Sequence, residues 1–164
     1  MERERHSQFV DVIRAAAVMI GTEVPIEDFK EPDAPDDLRC QFQLASGLSI
    51  EVDFDSEADL VSLRVSLGCL PSSDNSFIVK LLLKANLFHK DHNNIFALSP
   101  ENDEIILLSS APLDRLDPER MAERIVSVAE FASSWSLFIA KYNSSAPIEA
   151  PAATELISEF RIWS

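Results

Sequence analysis

Apolar residues recur along this chain with two different periods, and the switches between them divide it into elements. Over residues 7–20, Phe9, Val12, Ile13, Ala16, Ala17 and Ile20 fall at the three-and-four spacing of an amphipathic helix. Gly21 stands just past the last of them, where a helix ends readily. Ala15, Val18 and Met19 widen the apolar stripe, which is either broader core contact or an exposed docking surface. The period then changes to two. Cys40, Phe42 and Leu44 alternate with polar residues over 39–44, Ile50, Val52 and Phe54 over 49–55, and Val61, Leu63, Val65 and Leu67 over 61–67. Such alternation predicts strands with one buried and one wet face, and the short turns between them predict an antiparallel meander.

Residues 77–88, FIVKLLLKANLF, read as a second helix, apolar on nearly every side except for Lys80 and Lys84. A helix apolar on more than one side is buried on more than one side. One sheet covers one side, so the other is covered either within the subunit or by a second copy of the chain. Closed symmetric dimers are the commonest oligomers. Two strands follow at 96–99 and 105–108, the latter a continuous apolar run that predicts cover on both faces. Asp117 and Pro118 then open a long helix, with an acid at the cap and proline at the first helical position. Met121, Ile125, Val128, Ala132, Trp135, Ile139 and Tyr142 repeat at alternating spacings of four and three. From residue 117 to 142 such a helix spans about 39 Å, enough to cross a sheet.

The expected fold class is therefore α+β. An antiparallel β-sheet packs with three helices in the order α-β-β-β-α-β-β-α, as one domain over 1–142. Two segments stand apart by composition. Residues 23–37 carry Pro25, Pro32 and Pro35 among seven acids and read as an acidic loop. Residues 143–154 read as a Pro/Ala linker, and the tail to 164 carries Leu156, Ile157, Phe160, Ile162 and Trp163. The tail's apolar residues imply packing on its own subunit or docking on a neighbour.

Charge narrows the function. Against 14 lysines and arginines stand 28 acids, a net charge of −14. This disfavours binding to nucleic acid, which needs clustered cations, and to an anionic membrane surface. No apolar run is long enough for membrane insertion, and the charged start lacks the apolar core of a signal peptide. A cytoplasmic protein with reduced Cys40 and Cys69 is expected.

Catalytic constellations are missing from the sequence. Gly21, Gly47 and Gly68 are its only glycines, so no phosphate-cradling loop can be assembled. His89 and His92 lack further ligands for a metal. Asp53, Asp55, Glu57 and Asp59 recur every second residue, but the glycine and the terminal glutamate of a calcium loop are absent. They read instead as a wet strand face that opposes aggregation. No catalytic residue, cofactor-binding residue or metal ligand is assigned, no cofactor is expected, and the protein is not expected to be an enzyme.

Residues 81–88, the stretch FALSPENDEIILL at 96–108, PLDRLDPERM at 112–121 and the helix through Trp135 together resemble the class I type III secretion chaperones, the Tir-chaperone family. The resemblance covers about residues 7–142. It implies a homodimeric, non-enzymatic chaperone of the bacterial cytoplasm, a virulence-associated protein. Its partners would be itself and the N-terminal chaperone-binding segment of a secreted effector, held in a secretion-competent state. The dimer interface is expected at Phe77, Leu81, Leu83, Phe88, Ile106 and Leu108. Effector binding is expected at Val18, Met19, Phe42, Phe54 and Leu63. The alternative is a regulatory or adaptor protein on the same scaffold, because fold alone does not fix function.

Overall fold

The computed structural model describes residues 2–22, 37–44, 47–70, 76–88, 94–100 and 102–144. Helix α1 (Glu2–Met19) is followed by strands β1 (Asp37–Gln43), β2 (Ser49–Asp55) and β3 (Leu60–Cys69). Helix α2 (Ser76–Phe88), strands β4 (Asn94–Leu98) and β5 (Glu104–Pro112), a 3-10 turn (Leu113–Arg115) and helix α3 (Pro118–Ser144) complete the order. The acidic loop over residues 23–36 and the tail beyond Ser144 lie outside the described residues.

The five strands form one antiparallel sheet in the order β1-β2-β3-β5-β4. The meander is as the alternation predicts, and β5 then inserts between β3 and β4. Register follows from the inward residues. Phe42, Ile50, Val65, Leu107 and Phe96 pair in succession across all five strands. All five are buried. Parallel rows carry Cys40, Val52 and Leu63, and Leu38, Phe54, Val61 and Ala111. A one-residue slip would turn each row into water, so burial of one face locks the pairing.

Helices α1 and α3 lie together over this face. Phe9, Val12, Ile13, Ala16 and Ala17 of α1 are buried, with Phe9 stacked on Phe54 at 5.2 Å between ring centroids. From α3, Met121, Ile125, Val128, Ala132, Trp135 and Ile139 are buried, and Trp135 packs on Phe96 at 4.6 Å. Both helix ends that matter are capped. The Asp117 carboxylate accepts the Arg120 N–H at 2.8 Å, with Pro118 opening the helix. At the end of α1, Gly21 has φ +70, its N–H donates to Val18 O, and the Thr22 N–H donates to Ala17 O. This paired arrangement is a Schellman stop, which needs the left-handed residue that glycine supplies.

Arg124 ties α3 to the sheet. Its Nη2 donates to Ser109 Oγ at 3.0 Å and to Ser110 O at 2.7 Å. Burial lowers its pKa from the ordinary arginine value. Asn86 hydrogen-bonds helix α2 to β4: its Nδ2 donates to Phe96 O at 2.9 Å, and its Oδ1 accepts the Phe96 N–H at 2.7 Å. A carboxamide thus takes the place of a neighbouring strand at this margin of the sheet.

Two outcomes follow. Gly68 has φ +106 beside an irregularity in the β3–β5 register, and a Cβ there would meet nothing within 4 Å. Its replacement is opposed by the backbone alone, so Gly68→Ala should lower stability by about 1–2 kcal/mol in urea denaturation. Asn86→Ala leaves both backbone groups of Phe96 without their partner and should cost about 1–2 kcal/mol in the same titration.

Candidate protein-interaction site

Two apolar surfaces remain once the core is closed. The first runs along α2. Ile78, Leu81, Leu82 and Ala85 form its buried stripe at spacings of three, one and three. The opposite side carries Lys80, Leu83, Lys84 and Leu87, all exposed, with Leu83 63% and Leu87 75% accessible. A second row of apolar residues stands on the sheet face turned away from the core. Ile95 pairs with Leu108, and Ala97 with Ile106. Ile95 is exposed, Leu108 half-buried and Ile106 buried.

That outer face changes character between β3 and β5. The row Gln41, Glu51, Arg64, Leu108 and Ile95 crosses the sheet, polar through β3 and apolar beyond it. On the polar half, Arg39 pairs with Asp53, Gln41 bonds Ser49, and Arg64 lies 3.9 Å from Glu51. Three of the four alternating acids have structural partners, Asp53 through Arg39 and two more in or beside the β2–β3 turn. Asp55 Oδ1 accepts the N–H groups of Glu57 and Ala58 in the β2–β3 turn, and Asp59 Oδ2 lies 3.2 Å from Arg5 of α1.

The expected dimer-interface residues separate into classes. Leu83 is exposed and Leu108 half-buried. Leu81 is core, 1% accessible, because it shares the inward stripe of α2. Phe77 is half-buried and stacks on Tyr142 of α3 at 5.6 Å, so it joins two helices of one subunit. The side chain of Phe88 lies outside the described residues. Leu87, Ile95 and Leu98 are exposed apolar residues that the sequence reading did not single out. Leu87 had a signal: it lies four residues after Leu83, interleaved with the two lysines.

The second surface lies where α1 ends against α3. Met19 of α1 and Ile20 just after it, with Glu119, Ala122, Glu123, Val126, Ser127 and Glu130 from α3, line a shallow open groove of about 490 Å³. Val18 and Met19 are exposed beside it. The other expected effector-binding residues are corrected. Phe42, Phe54 and Leu63 are fully buried beneath α1 and α3, because their strand positions share the inward face. Period-two alternation locates a buried face without saying that helices of the same chain cover it.

Among the described residues, no three of His, Cys, Asp and Glu come together as a metal site, and no helix is long and apolar enough to cross a membrane. His89 and His92 lie outside the described residues. Cys40 is buried and Cys69 exposed, and neither forms a disulfide.

Three solved structures share this fold. The ExsC–ExsE complex aligns with a TM-score of 0.64 and 12% identity, covering 81% of this chain and 94% of that one. The HopA1–SchA chaperone–effector complex aligns at 0.60 and 10%, covering 83% and 98%. The Yersinia pestis type III secretion chaperone SycH, bound to a stable fragment of YscM2, aligns at 0.56 and 14%, covering 76% and 97%. No curated protein matches the chain in sequence. The sequence model of the Tir chaperone protein (CesT) family matches residues 34–136, from β1 through most of α3. The chain belongs to the Tir chaperone protein (CesT) family, as its sequence resemblance implied.

Proposed function

We propose that this protein is a homodimeric chaperone of the bacterial cytoplasm. It binds the N-terminal chaperone-binding segment of a type III secreted effector and keeps that segment competent for secretion. The family match over residues 34–136 carries the reading. Solved complexes of the same fold, one a chaperone–effector pair and one a secretion chaperone with a bound fragment, support it. The chemistry is binding alone: apolar side chains of an effector segment enter surface grooves, and backbone groups can extend a sheet margin. Strand β1 forms one such margin, paired on one side with β2.

The dimer seam is placed on the exposed side of α2 and the apolar half of the outer sheet face. Leu83, Leu87, Ile95 and Leu108 are its central residues. Two copies related by a twofold axis would bury these leucines and isoleucines against each other, with Lys80 and Lys84 at the rim. The effector surface is placed at Val18 and Met19, where α1 ends.

Light scattering after gel filtration should give the wild type twice the 18.3 kDa of one chain, and L83E/L87E the mass of a single chain. A wild type that runs as a monomer at micromolar concentration contradicts the seam. Co-expression with the N-terminal segment of its secreted effector should yield a complex. That segment should survive a protease dose that digests it when free. Equal digestion rates in the two samples contradict chaperone binding.

A further inference from the structure

We propose that the groove between the end of α1 and the outer side of α3 takes an amphipathic segment whose apolar anchors are flanked by lysine or arginine. This deepens the chaperone reading and rests on it: the segment is part of the effector, and the groove states its chemistry. The floor is small and apolar. Ala122 is buried, while Met19 and Val126 stand 56% and 44% accessible at the sides. An incoming apolar side chain would cover both against a floor with room for it.

The rim selects the charge. Glu119, Glu123, Val126 and Glu130 follow at spacings of four, three and four, which puts them in one row along α3. All three glutamates are exposed, and among the described residues none has an ion-pair or hydrogen-bond partner for its carboxylate. The two arginines nearest in sequence are turned elsewhere. Arg120 lies 3.5 Å from Asp117, and Arg124 donates to Ser109 and Ser110 of β5. Glu119 gains from its place in the first turn, but Glu123 and Glu130 lie beyond the reach of the helix N-terminus. Like charges four apart oppose helix formation. A cation arriving beside Val126 relieves that repulsion and finds a site whose lining, among the described residues, includes no lysine or arginine. An acidic segment of the same shape meets the opposite field.

The test uses the full chain and two labelled synthetic 14-residue peptides. Both carry leucine at positions 4, 7, 8 and 11; one has lysine at the flanking positions and the other glutamate. Fluorescence anisotropy should show the lysine peptide binding, with affinity falling about tenfold on neutralising the rim in E119Q/E123Q/E130Q. Neutralising exposed acids elsewhere, in D11N/E57Q/D114N, should change it less than twofold. M19S/V126S should weaken binding with the salt dependence intact. Circular dichroism verifies the fold of each variant.

Equal losses in the two neutralised triples, or equal binding of the glutamate peptide, overturn the proposal. So does a tenfold gain in F160S/W163S, which would make the chain's own tail the occupant. A rim variant that falls to a single-chain mass would make a second copy the occupant, and also overturns it. An effector segment still fully protected by the rim variant defeats the groove and leaves the chaperone reading standing. Failure of the wild type to protect any segment defeats that reading instead.

Discussion

The stacked rings of Phe9 and Phe54, with centroids 5.2 Å apart, are where α1 closes on the sheet, and the remaining packing depends on that closure. Without α1, the inward residues of β1 and β2 would lose their cover. Around the stack, His6 meets Phe54 edge-on at 6.0 Å, and Arg5 reaches Asp59 in the β2–β3 turn. The apolar stripe fixes the rotation of α1 about its axis, and the ion pair sets its N-terminal end. The far end is set by Gly21, whose left-handed backbone stops the helix and leaves Val18 and Met19 outside the core. A binding surface is thus a consequence of how the core is closed.

The other half of the sheet is closed by α3 and the side of α2, and there aromatic rings do the filling. Phe96, Phe131, Trp135 and Phe138 run as a chain of ring contacts, and Tyr142 extends it to Phe77 of α2. Large rings cover wide gaps between elements with few rotatable bonds. They let a helix of 13 residues sit at the sheet margin with only one stripe inward. Its remaining leucines are then surplus to the core. The apolar half of the outer sheet face adjoins the same margin, whereas the polar half is occupied by cross-strand pairs such as Arg39–Asp53. Two surfaces of different character result: an apolar seam beside α2 and an acid-rimmed groove beside the end of α1.

Much of the architecture was legible because each element carries its own period. The three-and-four spacing of α3, the alternation of β1, β2 and β3, and the cap at Asp117 all appear in the structure where the sequence places them. Boundaries were less legible. Strand β5 runs Glu104–Pro112, well past the apolar run at 105–108, because Ser109 and Ala111 continue its inward face. Helix α1 begins at Glu2, in residues whose polarity gave no periodic signal. The site was legible only where a residue's exposure follows from its own helix. Leu83 faces out because Leu81, Leu82 and Ala85 face in.

By itself, the sequence determined the element order, the α+β class, the inward faces of β1, β2 and β3 and the acidic character of the chain. These are local matters: side-chain period decides which face is apolar, and caps decide where helices stop. Tertiary structure decided which apolar faces meet. It sent Phe42, Phe54 and Leu63 beneath helices of the same chain, turned Leu81 inward and left Leu87, Ile95 and Met19 outside. It also brought Met19 beside Val126, more than a hundred residues away, and directed Arg120 and Arg124 away from the neighbouring glutamates. Burial is a property of pairs of surfaces, and a single strand or helix carries only one of the two.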